Sequence, residues 1–180
     1  MKNAVCTLFV LSAMFSSAAV PVKTIYGWNI WKHQTDGGKV ERIKPTAELP
    51  QGAMKFLPDP DKKRYSVQWY AVFPAAPTDH LRFVYTFRSA ADTNAGVAVA
   101  LLVRAKDQAG AWCKQPLGER KTVVVEPGKT QEIAIEVDLK KAGTPEIKSF
   151  CPMIVVSKLT AGDVTFTGVK VEPAAEPAAK

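Results

Sequence analysis

The chain of 180 residues is 47% hydrophobic and 23% charged, and its formal net charge is +7. This balance supplies one ordinary hydrophobic core and excludes a disordered chain, and the 11 glycines and 13 prolines follow no period that a collagen would need. One domain is therefore expected. No catalytic motif emerges from the sequence.

The first 19 residues are typical of a secretory signal peptide. Lys2 provides a positive charge, residues 5–15 are apolar, and Ser17-Ala18-Ala19 offers small residues at the cleavage spacing. The apolar run is shorter than the roughly 20 residues that cross a bilayer, so an uncleaved anchor is the weaker alternative. We expect cleavage after Ala19, a secreted or periplasmic protein, and no membrane span after cleavage.

Short strands dominate the expected structure, because apolar residues from Tyr65 onward recur with a period of two rather than 3.6. Before Tyr65 the pattern is weaker. It predicts three brief strands, at 26–31, 39–43 and 52–57. Residues 65–73 form the next strand, which Pro74 ends.

The segment 81–88 alternates most clearly, which predicts a half-buried antiparallel strand. One face carries Leu81, Phe83, Tyr85 and Phe87, and the other carries Arg82, Val84, Thr86 and Arg88. Residues 96–105 are almost continuously apolar, as in a central strand. The chain then turns and returns through Trp112.

Residues 121–125 and 131–139 predict a hairpin, because the intervening Pro127-Gly128 pair suits a type II turn. Further strands are expected at 153–157 and 164–171. About eight or nine short strands indicate an all-β fold, an antiparallel β-sandwich or jelly roll, over residues 20–172. The tail 173–180 has no large side chain, so we expect it to be disordered.

Two cysteines remain after signal cleavage removes Cys6. Export to an oxidising compartment favours a disulfide between Cys113 and Cys151, which would stabilise the fold by about 4 kcal/mol. Two buried thiols are the alternative. A structural zinc site would need four ligands, and the only histidines, His33 and His80, lie far away in sequence.

Three segments carry a family resemblance. They are Leu-Arg-Phe-Val-Tyr-Thr-Phe-Arg-Ser at 81–89, Phe-Cys-Pro-Met-Ile-Val-Val at 150–156, and Gly-Asp-Val-Thr-Phe-Thr-Gly-Val-Lys-Val-Glu at 162–172. Their order resembles the galactose-binding-like jelly rolls of carbohydrate-binding modules. The resemblance implies a β-sandwich that binds a glycan or polysaccharide without catalysis.

One departure from this family concerns calcium. Where its closing strand commonly carries an acidic pair that helps to hold a structural calcium ion, this chain has Thr167 and Gly168. Asp163 precedes the strand, but a lone carboxylate in a turn is more often a turn former, since calcium takes six to eight oxygens. We therefore expect no cofactor or metal, although a structural calcium remains open.

Sugar binding usually combines a flat aromatic ring with hydrogen-bonding side chains. If strands 65–73 and 81–88 are neighbours, their polar residues form one sheet face, with a further guanidinium from Arg104. The candidate carbohydrate-binding residues are Trp112, Trp31, Gln68, Tyr70, Arg82, Arg88 and Arg104. The arginines would favour acidic or sulfated glycans, because guanidinium binds carboxylate or sulfate through two hydrogen bonds. Packing of Trp112 on the disulfide and an ordinary solvated face are the alternatives.

Other functions have weaker support. Neither histidine lies in a nucleophile or metal motif, and no catalytic residue is assigned. Lysines occur in short groups, so the basic charge does not indicate nucleic acid. The alternative to a glycan-binding module is a cell-envelope structural or protein-interaction domain, with an envelope protein as partner, and a jelly-roll lyase or hydrolase is a minor third.

Overall fold

The computed structural model describes residues 25–30, 39–59, 64–68, 80–106, 112–138 and 147–174. A single 3-10 turn, Ile25–Gly27, precedes the first strand. The strands are β1 (Asn29–Ile30), β2 (Lys39–Ile43), β3 (Ala53–Leu57), β4 (Arg64–Gln68), β5 (His80–Ser89), β6 (Gly96–Lys106), β7 (Trp112–Val124), β8 (Thr130–Asp138), β9 (Ile147–Ser157) and β10 (Val164–Pro173).

The strands form two five-stranded sheets. Sheet A has the order β1-β4-β9-β6-β7, and sheet B has the order β2-β3-β10-β5-β8. All the described strand pairs are antiparallel. The predicted antiparallel β-sandwich of jelly-roll type is therefore confirmed.

The core lies between the sheets and follows from the alternation of apolar residues. The inward side chains of β5, which are Leu81, Phe83, Tyr85 and Phe87, are all fully buried. On β10, Phe166 packs its ring 5.3 Å from that of Phe87 and 5.8 Å from that of Phe56. The strand register thus places one aromatic ring from each of three neighbouring strands in one cluster.

The loops at one end of the sandwich are joined by hydrogen bonds into what we call the loop junction, formed by residues 89–95, 125–129 and 158–163. The Thr93 hydroxyl donates to the carbonyl oxygen of Asp163 at 2.7 Å and accepts from the Asp163 N–H at 3.2 Å. The N–H of Gly128 donates to the carbonyl oxygen of Ala90 at 2.8 Å. Backbone groups at this end are therefore paired despite the irregular structure.

The predicted hairpin is wrong, although its turn is correct. Lys129 N–H donates to Glu126 O at 3.3 Å and Gly128 has a φ of 71°, as a type II turn requires. However, β7 belongs to sheet A and β8 to sheet B. The turn crosses between the sheets, because β7 pairs with β6 and β8 pairs with β5.

The register also contradicts the predicted disulfide. Cys113 on β7 pairs with Ala105 of β6, and Cys151 on β9 pairs with Leu102 of β6. Strand β6 therefore lies between the two cysteines. Two strand spacings separate them by about 10 Å, whereas a disulfide needs Cα atoms about 4.4–6.8 Å apart.

Some expectations lie outside the described residues. These are the signal peptide, Trp31, Tyr70 and residues 175–180 of the tail. Strand β10 ends at Pro173, and Ala174 N–H donates to His80 O at 3.0 Å. Across the described ranges, no helix is long and apolar enough to cross a membrane.

Two glycines of the loop junction provide a test of its close packing. Gly162 and Gly128 both have positive φ, but an added Cβ would lie 2.7 Å from the Thr93 backbone at Gly162 and 3.5 Å from Ala91 at Gly128. We expect Gly128→Ala to lower the free energy of unfolding by about 1 kcal/mol. Gly162→Ala should cost about 3 kcal/mol, because overpacking adds to the same backbone strain. Urea denaturation measures both, and equal losses would contradict the close approach at Gly162.

The cysteines provide a second test. Because the register keeps them apart, a protein expressed from Val20, which lacks Cys6, should carry two free thiols. Alkylation in denaturant without reductant should then add two groups by mass spectrometry, as it does after reduction. A protein that takes up alkylating reagent only after reduction would contradict this register.

Candidate functional site

The predicted site residues are divided between the two sheets. Gln68 on β4, Arg104 on β6 and Trp112 on β7 have their backbones in sheet A, whereas Arg82 and Arg88 lie on β5 in sheet B. The single polar face expected from the sequence required β4 and β5 to be neighbours. They are not, because β4 pairs with β1 and β9, and β5 pairs with β10 and β8. The structure therefore leaves the two β5 arginines six residues apart on one strand of sheet B, and it places Arg104 and Trp112 two ladder positions apart on neighbouring strands of sheet A.

Both arginines lie on the outer face of sheet B, but in different rows of its ladder. Arg88 is paired with Thr165 of β10 and Thr130 of β8. Arg82 is paired with Glu172 of β10 and Glu136 of β8. The cross-strand neighbours differ in charge, so the two guanidiniums have different environments.

Arg82 is held by carboxylates. Its Nη1 donates to Glu172 Oε1 at 2.7 Å, and its Nε lies 3.9 Å from Glu136 Oε1. The Lys170 ammonium also pairs with Glu172. The hydrogen bond from Lys170, followed by that from Arg82, lowers the pKa of Glu172 below its ordinary value. Because Arg82 already has anionic partners, it is a poor candidate for binding a ligand.

Arg88 stands beside a cavity of about 280 Å³, which we call the Arg88 pocket. Its lining residues are Ile43, Lys55, Arg88, Ser89, Ala90, Asp163 and Thr165. Arg88 is exposed, and no hydrogen bond or ion pair joins its side chain to another of the described residues. Thr165, only 2% exposed, lies between Lys55 on one side and Arg88 on the other.

Asp163 contributes a carboxylate to the pocket lining. Its Oδ2 lies 3.1 Å from Lys55 Nζ, and its Oδ1 accepts a hydrogen bond from the Thr165 hydroxyl at 3.1 Å. Thr93 fixes the Asp163 backbone from the loop junction. The pocket therefore combines two cations and one anion on a preformed frame. The exposed guanidinium of Arg88 is the charged group of the pocket that has no partner among the described residues.

Sequence reasoning found Arg88 but missed Lys55 and gave Asp163 only a role in the turn. The turn signal at Gly162-Asp163 was correct, since Gly162 has a φ of 68°. Lys55 could not be linked to it, because the two meet only through the pairing of β3 with β10. In the part of the chain that the structure describes, no three acidic, histidine or cysteine side chains are grouped so as to hold a metal ion.

Comparison with solved structures identifies the fold. A candidate sugar-binding protein from Bacteroides thetaiotaomicron is 10% identical with a TM-score of 0.55, and the match covers 89% of this chain and 96% of that one. The carbohydrate-binding module CBM28, specific for non-crystalline cellulose, is 10% identical with a TM-score of 0.50, covering 85% and 94%. The fold is that of jelly-roll carbohydrate-binding modules. The resemblance inferred from the sequence is thereby confirmed for the fold.

The same fold also occurs within a larger protein. The enzymatically active domain of tailspike protein 4 from bacteriophage CBA120 is 12% identical with a TM-score of 0.53. The match covers 84% of this chain, which spans only 20% of that one. No protein-family model and no curated protein matches the sequence.

The ion-paired group of Arg82, Glu136, Lys170 and Glu172, which we call the Glu172 cluster, leads to a prediction about the pKa of Glu172. Removing either cation should raise the pKa of Glu172 toward its ordinary value, and Lys170→Gln should raise it more than Arg82→Gln, because the Lys170 hydrogen bond is the larger cause. NMR titration of the side-chain carboxyl carbons measures this directly. Glu41 is the internal control, since its lowered pKa depends on Lys39 and should not move.

The same shift predicts a pH dependence of stability. The pKa of Glu172 is lower in the folded state than in the unfolded state. Its contribution to the free energy of unfolding is therefore present above the unfolded-state pKa and is lost as pH falls through the folded-state pKa. Denaturation at several acidic pH values should show a smaller loss in Lys170→Gln than in the unmodified protein. An unchanged pKa of Glu172 in both variants would contradict the described contacts.

Proposed function

We propose that the protein is an exported, non-catalytic glycan-binding module that engages acidic glycans through the Arg88 pocket. The observation that carries this proposal is the exposed Arg88 guanidinium, which has no partner among the described residues and stands beside a preformed cavity. The fold supports it, because a candidate sugar-binding protein and a cellulose-binding module match over nearly their whole length.

The chemistry of the pocket suits a charged sugar. A guanidinium binds a planar carboxylate or a sulfate through two parallel hydrogen bonds. Ile43 and Ala90 add apolar surface beside the polar groups, which suits the C–H face of a sugar ring. The cavity of about 280 Å³ lies just below the range of roughly 300–1,000 Å³ typical of pockets that enclose whole ligands. It therefore suits one charged residue of a longer glycan.

Binding is favoured over hydrolysis at the carboxylate pair around Arg82. Glu172 and Glu136 both face Arg82, but a glycosidase needs one carboxylic acid with a raised pKa to protonate the leaving group. The pKa of Glu172 is lowered instead. This direction suits a structural ion pair rather than a general acid.

The alternative of a protein-interaction domain requires an exposed apolar patch or an open sheet edge. Among the residues whose side chains are described, Val124 on β7 is the only large hydrophobic residue that is exposed, at 81%. A single exposed valine is ordinary for a soluble domain. The described side chains therefore offer a partner no apolar patch, although β1, β7, β2 and β8 are edge strands. What favours glycan binding is the exposed Arg88 beside its cavity.

The test is a glycan-array screen of the mature chain starting at Val20, followed by calorimetry with an acidic hit and its neutral counterpart. Arg88→Ala should weaken binding of the acidic glycan about tenfold to a hundredfold, because a charge-assisted hydrogen bond contributes roughly 1.5–3 kcal/mol. The matched control is Arg120→Ala, which removes an exposed arginine from β7 in sheet A and should leave the affinity unchanged.

The possible results separate the hypotheses. Loss of binding in Arg104→Ala or Trp112→Ala, with Arg88→Ala unaffected, would move the glycan site to sheet A. Preference for the neutral counterpart would contradict the acidic specificity. If the protein shows an intact thermal transition but binds neither neutral nor acidic glycans, this result would contradict glycan binding and favour the envelope domain.

A further inference from the structure

The Arg88 pocket contains an anion of its own. The Asp163 carboxylate is 21% exposed and the Lys55 side chain that it pairs with is 32% exposed, so a ligand in the pocket would meet both. The Asp163 carboxylate is held at both oxygens, by Lys55 and by the Thr165 hydroxyl, and its backbone is bonded to Thr93. The Asp163 carboxylate is therefore held in place and does not turn away from a ligand in the pocket.

The charges of the pocket favour a particular kind of ligand. Lys55 and Arg88 contribute two positive charges and Asp163 one negative charge, which leaves one net positive charge. A ligand with a single negative charge balances it. A second negative charge on the ligand would be repelled by Asp163, and the cost of removing a doubly charged group from water would be larger.

We propose that Asp163 makes the Arg88 pocket selective for singly charged oxyanion groups, such as a sulfate ester or a uronate, over doubly charged phosphate esters. This proposal rests on the proposed function, because it assigns a specificity-determining residue to the same site. Arg88 provides the attraction that all anions share. Asp163 sets how many charges the pocket accepts.

At pH 8, three probes distinguish the effect of the ligand's charge from the effect of its sulfate or phosphate chemistry. Glucose 6-sulfate carries one negative charge, glucose 6-phosphate carries close to two because the second phosphate pKa is about 6, and the methyl phosphodiester of glucose 6-phosphate carries one. Amide chemical shifts of the mature protein, followed by NMR during titration, give each affinity and show whether Arg88 and Thr165 respond. We expect the sulfate and the phosphodiester to bind at least fivefold more tightly than the phosphate.

The decisive variant is Asp163→Asn. It removes the charge but keeps an oxygen for the Thr165 hydroxyl, and the bonds to Thr93 use only the Asp163 backbone. We expect the affinity for glucose 6-phosphate to rise at least tenfold, whereas the sulfate gains less, so the preference is lost or reversed. Asp92→Asn is the matched control, because it removes an exposed carboxylate from the same loop region outside the pocket lining and should leave the preference intact.

A second variant keeps the test valid if Asp163→Asn does not fold. Lys55→Gln leaves Asp163 without its cation, so the affinity for the sulfate should fall about tenfold and the affinity for the phosphate should fall further.

Equal changes in affinity for all probes in Asp163→Asn and Asp92→Asn would overturn the proposal. A wild-type protein that binds the phosphate as tightly as the sulfate would overturn it as well. Binding of an acidic glycan that depends on Arg88, without discrimination among the probes, would overturn the selectivity alone. Probe binding that is insensitive to Arg88→Ala would instead overturn the proposed function.

Discussion

The register of β10 between β3 and β5 is the constraint on which both the core and the pocket depend. It places Phe166 opposite Phe87 in the core and Thr165 between Lys55 and Arg88 on the outer face. Because side chains alternate between the faces of a strand, a slip of one residue would exchange these two sets. Burial of the aromatic cluster therefore fixes the position of the pocket, even though no pocket residue belongs to that cluster.

A bulge between Phe166 and Gly168 complicates this register. Before the bulge, the side chains that face the core belong to even-numbered residues, such as the buried Val164. After the bulge, they belong to odd-numbered residues, such as the buried Val169. The Gln51 side chain bonds both the N–H and the carbonyl oxygen of Val169, at 2.9 and 3.0 Å, where β3 has not yet begun. A side-chain amide thus replaces a missing strand neighbour, and β10 can continue to the Glu172 cluster.

Local patterns predicted most of the strands, because a strand with one buried face shows alternating apolar and polar residues within its own segment. The inward set of β5 and the strand at 39–43 needed no knowledge of the rest of the chain. Pairing is a non-local property, so the sequence could not distinguish a hairpin from a crossing between sheets at the same Pro-Gly turn. For the same reason it predicted a disulfide across β6, placed Gln68 beside Arg82, and could not join Lys55 to Asp163.

Arg82 and Arg88 show why residue type alone does not define a site. They share a strand and a face, and only their partners across the ladder differ. Glutamates on both sides hold Arg82, whereas threonines flank Arg88, and the nearest carboxylate in its pocket is occupied by Lys55 and Thr165. Because the frame around Arg88 is already ordered by the loop junction, binding there need not include the cost of folding a loop. In the proposed function, attraction by one arginine gives the pocket its affinity and exclusion by one aspartate gives it its selectivity.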